Sequence, residues 1–442
     1  MHGSVNLQTT TGTGADAATD TGQAWSNDAA RTFLRGLFDA AIGSADPGNV
    51  LAAHLPEQPA GRCVVVGAGK AAGAMAQAVE TAWADVNLSG VVVAPYGYGT
   101  SAGRIRVLEA GHPVPDAASE SAAREILDSV AGLTADDLVL ALISGGGSAA
   151  MALPAEGLTL AEKQETTRIL LKSGLDIRTM NVVRRRLSGI KGGRLAAAAA
   201  PARVVTLGIS DIPGDDPAAI ASGPTMPDHD ADFDMAPVLA RVGHLLPAAV
   251  AARLAQPSDA ALAMGTADFR MIATPGKALA AAAAIAREAG VEAVILGDDL
   301  EGEAAEIGAE MANLALSAVD RPTVFLSGGE TTVTIGEGPA GRGGRNTELL
   351  LALAASLNGA AGVWAIAGDT DGEDGATGGV AGAIIAPDTI VRGRDQGMDL
   401  AEYLAGHDSG SFFERIGDLV ITGPTRTNVN DFRAILVVPQ AG

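Results

Sequence analysis

Short runs of consecutive apolar residues alternate with longer stretches in which apolar positions recur every three or four residues. The first pattern marks strands buried on both faces and the second marks helices that cover them. Their alternation predicts an α/β fold built on parallel sheets. Apolar runs at 63–66, 91–94, 105–108, 138–143 and 204–209, bounded by turn residues, predict the strands of a first, Rossmann-like sheet. Runs at 271–274, 294–296, 323–326, 363–367, 419–422 and 435–438 predict a second set. Ala30, Phe33, Leu34, Leu37, Phe38 and Ala41 share one face of an opening helix that Asp46-Pro47-Gly48 ends. Thr159 and Glu162 have the spacing of a capping box.

A stretch at 228–267, punctuated by Pro and Asp and without a clear strand, sets the expected domain boundary. The expected organisation is a flexible tail at 1–27, an N-terminal Rossmann-like domain at 28–240 and a C-terminal α/β domain at 241–442. Two signatures recur across that boundary. Ile143-Ser144-Gly145-Gly146 resembles Leu326-Ser327-Gly328-Gly329, and Ser222-Gly223-Pro224-Thr225 resembles Thr422-Gly423-Pro424-Thr425. The expectation is that each half supplies similar strand-end loops to one cleft between the domains, where α/β sheets place ligands.

Charge narrows the choice of partner. The 442 residues carry a net charge of −22 and only 3% are aromatic, which argues against a broad footprint on nucleic acid or anionic lipid. No apolar run reaches the roughly 20 residues that span a bilayer. Cys63 is the only cysteine, so no intrachain disulfide or cysteine-based metal cluster forms, and a cytoplasmic enzyme is expected. The histidines at 2, 54, 112, 229, 244 and 407 are scattered and read as ordinary structural or surface residues. Small-molecule chemistry is the class left, with a homodimer as the expected assembly.

Six segments could carry that chemistry. Gly67-Ala68-Gly69-Lys70 joins a strand to a helix start and aims backbone N–H groups at an anion. It is not a Walker loop, because Val64 and Ala71 stand where that motif needs Gly and Ser or Thr. The G-x-G-x-x-A spacing of a dinucleotide site is met, but the run at 91–94 leads into Pro95-Tyr96 instead of a ribose-binding acid. Ser144-Gly145-Gly146-Gly147-Ser148 follows an apolar strand and suits phosphate oxygens. Arg184, Arg185, Arg186, Lys191 and Arg194 crowd a segment without acids, which reads as a clamp for an anionic ligand. Two strand ends carry carboxylates, Asp211 with Asp215 and Asp371 with Asp374, which could hold magnesium on a nucleotide or accept a hydroxyl proton. Finally, the glycine-rich hinge 336–346 leads to Arg345 and Asn346 just before a helix at 347–357, a position suited to charge on a transferring phosphoryl group.

Together, 67–72, 144–148, 186–193, 210–215, 222–225, 343–348 and 423–431 resemble, in order, the motifs of the class II glycerate 2-kinase family, whose C-terminal region is the MOFRL domain. The resemblance implies phosphorylation of D-glycerate by ATP at its 2-hydroxyl, with Mg2+ and an interdomain active site. It implies Lys70 and Arg345 as the catalytic cations, with Asp211 and Asp371 as the family's functional carboxylates in their loops, one to hold the metal or accept the proton. Gly67, Gly69, the loop 144–148, Arg186, Lys191, Gly328, Glu330 and Asn346 are the expected substrate and nucleotide contacts. One departure stands out: Ala376-Thr377-Gly378-Gly379 replaces a segment in which the family often carries another aspartate. Relatives of the family also bear the name hydroxypyruvate reductase, so an NAD(P)H enzyme is the rival, and a non-catalytic metabolite sensor is a second.

Overall fold

A computed structural model describes residues 25–257, 267–317, 319–336, 340–375 and 377–439. Most of the expected tail, and Glu337, Gly338 and Pro339 of the expected hinge, lie outside the described residues. Fourteen strands are present among them. The first six are β1 (Cys63–Ala68), β2 (Leu88–Pro95), β3 (Arg106–Ala110), β4 (Leu138–Ile143), β5 (Arg203–Ile209) and β6 (Asp268–Ala273). They form one all-parallel sheet in the order β3-β2-β1-β4-β5-β6. Every residue of β1 and β4 is buried, which is why both read as unbroken apolar runs.

The remaining strands are β7 (Glu292–Gly297), β8 (Gly302–Glu303), β9 (Thr323–Ser327), β10 (Thr331–Thr332), β11 (Val363–Asp369), β12 (Val380–Ile385), β13 (Leu419–Ile421) and β14 (Asp431–Val437). Six of them make a mixed sheet in the order β13-β12-β11-β14-β9-β7, parallel only between β7 and β9. β8 and β10 pair as a two-stranded ribbon.

Two sequence expectations are corrected here. The run at 271–274 was expected in the second set, but β6 pairs with β5 and closes the first sheet. Conversely, the opening helix Asn27–Gly43 packs on the second sheet, with Phe38 against Phe432 and the Trp364 indole N–H donating to Asn27 Oδ1 at 2.8 Å. An apolar run reports burial and not the sheet that buries it. The capping box is as expected: Thr159 and Glu162 exchange side-chain and backbone hydrogen bonds at the start of helix Leu160–Lys172.

One apolar core joins the two sheets. It runs from Val65, Leu140 and Leu207 of the first, through Leu34, Leu37 and Phe38 of the opening helix, to Ile366 and Phe432 of the second. Each such aliphatic or aromatic side chain withdrawn from water stabilises the fold by about 1.5–3 kcal/mol. This shared core leaves a cleft where the strand ends of both sheets meet.

Candidate active site

In a sheet ordered 3-2-1-4-5-6 the connections leaving β1 and β4 diverge, opening a crevice at their carboxyl ends. Here the two strand-end loops are stitched together. Lys70 N donates to Gly145 O at 2.8 Å, Ser144 N to Ala68 O at 3.1 Å, and Ala71 N to Ser144 Oγ at 3.1 Å. The glycines are required by this closeness. A Cβ on Gly67 would stand 2.1 Å from the Leu142 carbonyl oxygen, and one on Gly145 only 1.7 Å from Asp211 Oδ2. Lys70, Gly146 and Asp211 thereby line one wall of a cleft of about 600 Å³.

The second sheet supplies the other wall, through Glu330, Arg345, Asp369, Asp371, Glu373, Asn428 and Asn430. Lys70 Nζ pairs across the cleft with Asp371 Oδ2. Arg345 is gripped by three carboxylates. Its Nε meets Asp431 at 2.9 Å, and its other two nitrogens meet Glu330 and Asp369, each at 2.8 Å. Arg345 is the first residue of helix Arg345–Leu357, two residues earlier than the sequence suggested. The reason is Asp374, whose carboxylate accepts the backbone N–H groups of Asn346 and Thr347 at 2.9 Å and caps the helix.

Burial, and then the excess of carboxylates over cations, sets the electrostatics. Burial opposes the charge on Lys70, but Asp371, and then Asp369, outweigh it and hold the ammonium above the usual lysine range. Burial, only partly offset by Lys70, pushes Asp211 up to about 6. Asp369 is raised well above the ordinary carboxylate range by burial and by its neighbours Asp371 and Asp431.

Several expected contacts stand elsewhere. Arg186 donates to the carbonyls of Ala231, Phe233 and Gln256, and Arg185 is paired with Asp228 and Asp230. Lys191 is buried and donates to Ser148 O at 2.5 Å, bracing the glycine loop from behind; Ser148 Oγ in turn meets Ser222 Oγ at 2.7 Å. Arg185, Arg186 and Lys191 are therefore held inside the fold and do not line the cleft. Asp374 is fully buried in its capping role, and Asp215 does not line the cleft, so neither is placed for the metal role expected of it. Gly328 lends its carbonyl to Arg433 at 2.7 Å, and Asn346 donates to Asp431 at 2.8 Å, beneath Arg345. Gly147 packs beside Ala221 below the surface of the loop.

Sequence reasoning gave no individual role to Asp369, beyond its place in the carboxylate loop 368–374, and none to Asp431, Asn428 or Asn430. All but the first fall within the segment 423–431 that carried the family resemblance, which was the available signal.

Two sheets, a switch-point crevice and a cleft holding paired cations define a two-lobed α/β enzyme acting on small anionic molecules. Comparison with known proteins specifies the family. Residues 33–255 match the domain of unknown function DUF4147 and residues 323–431 match the MOFRL family. A D-glycerate 2-kinase of Thermotoga maritima is 38% identical over 89% of this chain and 94% of its own. A crystal structure of the glycerate kinase from the same organism superposes with a TM-score of 0.85, covering 93% of this chain and all of that one at 36% identity. A protein of Agrobacterium vitis named as a hydroxypyruvate reductase is 55% identical over 93% of this chain and 96% of its own. The chain belongs to the glycerate 2-kinase family.

Proposed function

We propose that the protein transfers the γ-phosphoryl group of ATP to the 2-hydroxyl of D-glycerate, giving 2-phosphoglycerate and ADP. The observation that carries this is the convergence of Lys70 and Arg345 on one cleft, beside the crevice at the ends of β1 and β4. The triphosphate fits the crevice loops at 67–70 and 144–146. Lys70 and Arg345 offset charge developing on the transferring group, and Arg345 is held in position by Asp431, Asp369 and Glu330. Asp211 suits the base that accepts the proton of the 2-hydroxyl, because its raised pKa brings it near neutrality.

Mg2+ belongs to the same proposal. Among the described residues no group of three or more His, Cys, Asp or Glu is disposed to hold a metal. Magnesium needs only one or two protein carboxylates when phosphates supply the other ligands. The excess of carboxylates over cations in the cleft suits a divalent cation, and Asp371 would hold it. When bound, the ion neutralises phosphate charge and orients the γ-phosphoryl group. A cytoplasmic location and a homodimer are further parts of this proposal. No helix among the described residues is long and apolar enough to cross a membrane.

Phosphorus NMR of the protein with ATP, magnesium and D-glycerate tests the reading. A 2-phosphoglycerate resonance is expected. A 3-phosphoglycerate resonance overturns the regiochemistry, and no new resonance overturns the kinase. The reductase reading draws on the name of the 55% identical relative. It requires oxidation of NAD(P)H by hydroxypyruvate, read as loss of nicotinamide absorbance. Against it, β2 ends at Pro95 and is followed by Tyr96, where a nicotinamide dinucleotide site usually carries an acid.

A further inference from the structure

One polar group in the cleft is left unused by its own surroundings. Asn430 stands immediately before β14, only 3% exposed, with a backbone φ of +68° that favours glycine and that asparagine adopts at a cost. The backbone there is over-determined. Thr370 N and Oγ1 donate to the Asn430 carbonyl at 3.2 and 2.7 Å, and Asn430 N donates to Asn428 Oδ1 at 3.0 Å. Its side-chain Oδ1 accepts from Asp431 N at 3.0 Å. Its Nδ2, however, is buried and has no hydrogen-bond partner among the described residues. Asn428 provides the contrast, since its Nδ2 is committed to Asp211 at 3.1 Å.

An orphaned buried donor on a cleft residue points to a ligand, because it is unfavourable without a partner. The position selects the kind of ligand. Asn430 is on the wall opposite the glycine loops of the first sheet, so the triphosphate is served elsewhere. Its own wall is acidic, carrying Asp369, Asp371 and Glu373, and both its Arg345 and Lys70 across the cleft already have carboxylate partners. A small anion reaching this wall is better met by a neutral donor than by a cation that must first leave its partner.

We propose that Asn430 Nδ2 hydrogen-bonds a carboxylate oxygen of the acceptor substrate, a short 2-hydroxy acid, and so fixes which end of that molecule faces the phosphoryl donor. This rests on the kinase reading for the identity of the acceptor. The test uses Asn430→Gly, which keeps the left-handed backbone and deletes the amide, and Asn430→Asp, which keeps shape and Oδ1 but replaces the donor with a charge. KM for D-glycerate, KM for ATP, kcat and the D-glycerate-induced rise in melting temperature without nucleotide are measured for the full chain. Loss of a hydrogen bond to a charged group predicts a rise on the order of 10- to 100-fold in the D-glycerate KM. The KM for ATP should stay within about twofold, and the D-glycerate-induced thermal shift should vanish in both variants. A D-glycerate KM within twofold of the parent overturns the proposal, and so does a parallel rise in both KM values. If the parent protein turns over no glycerate, the kinase reading fails separately. The thermal shift then decides: a shift in the parent that Asn430→Gly abolishes sustains the acid-binding role, and no shift in the parent, or an equal one in Asn430→Gly, overturns it.

Discussion

The ammonium of Lys70, at the end of the first sheet's β1, is paired with the carboxylate of Asp371, which follows β11 of the second sheet 301 residues later. The pair bridges the mouth of the cleft. It keeps Lys70 charged in a buried setting and places it where phosphoryl oxygens would compete with Asp371 for its protons.

Lys70→Ala is accordingly expected to lower kcat by about 10³-fold or more, the scale of removing a cation from transition-state charge in phosphoryl transfer. Its melting temperature should change far less than its turnover. A parallel loss of both, measured by calorimetry and steady-state assay, would assign Lys70 to structure alone.

The raised pKa of Asp211 gives a pH dependence with a definite sign. A base must be ionised to accept a proton, so kcat/KM should fall as pH drops through about 6. Asp211→Asn should remove that acid limb and reduce the rate by about 10²- to 10⁴-fold at neutral pH. An unchanged profile in the variant would reassign the limb to another carboxylate.

Gly145 touches Asp211 so closely that any side chain must displace it, since a Cβ would lie 1.7 Å from Oδ2. Gly145→Ala should therefore reproduce much of the Asp211→Asn loss, about 10²-fold in kcat, by misplacing the carboxylate. A double variant measures the connection: if the two losses simply multiply, the steric coupling is refuted.

Arg433 is 1% exposed and donates to Gly328 O at 2.7 Å and Asp431 Oδ2 at 2.8 Å. Replacing it with Met leaves Asp431 with one fewer counter-charge in the interior. A loss of about 3–5 kcal/mol in urea-unfolding free energy is expected, the usual result of breaking a buried pair. Arg345 activity should suffer too, because Asp431 is one of the groups that aim it.

Local chemistry made part of this architecture legible from the chain. Lys70 and the glycines around it sit in a strand, a turn and a helix start that are contiguous in sequence. Arg345 was legible for the same reason, as the residue closing a glycine-rich loop. What failed were partnerships over distance. The basic run at 184–194 looks like an anion clamp until Asp228, Asp230 and the carbonyls of Ala231 and Phe233 are folded over it. Asp374 and Asp371 are alike in sequence, yet one caps a helix and the other faces the cleft. β12 was missed because the central Ala-Gly-Ala of Val-Ala-Gly-Ala-Ile-Ile is poor in strand-forming residues, and the segment pairs as a strand between β11 and β13.

The opening helix has a consequence for how the polypeptide is made. Phe38 packs against Phe432, at the far end of the chain, and Leu34 and Leu37 lie in the same core. At roughly 5–20 residues per second, the ribosome takes on the order of 20–80 s to synthesise the segment between them. Throughout that interval an amphipathic helix emerges without the strand that will cover it. Nascent chains of this protein are thus expected to engage holdase chaperones early, and a truncation that stops before residue 431 should leave the same face exposed and aggregate.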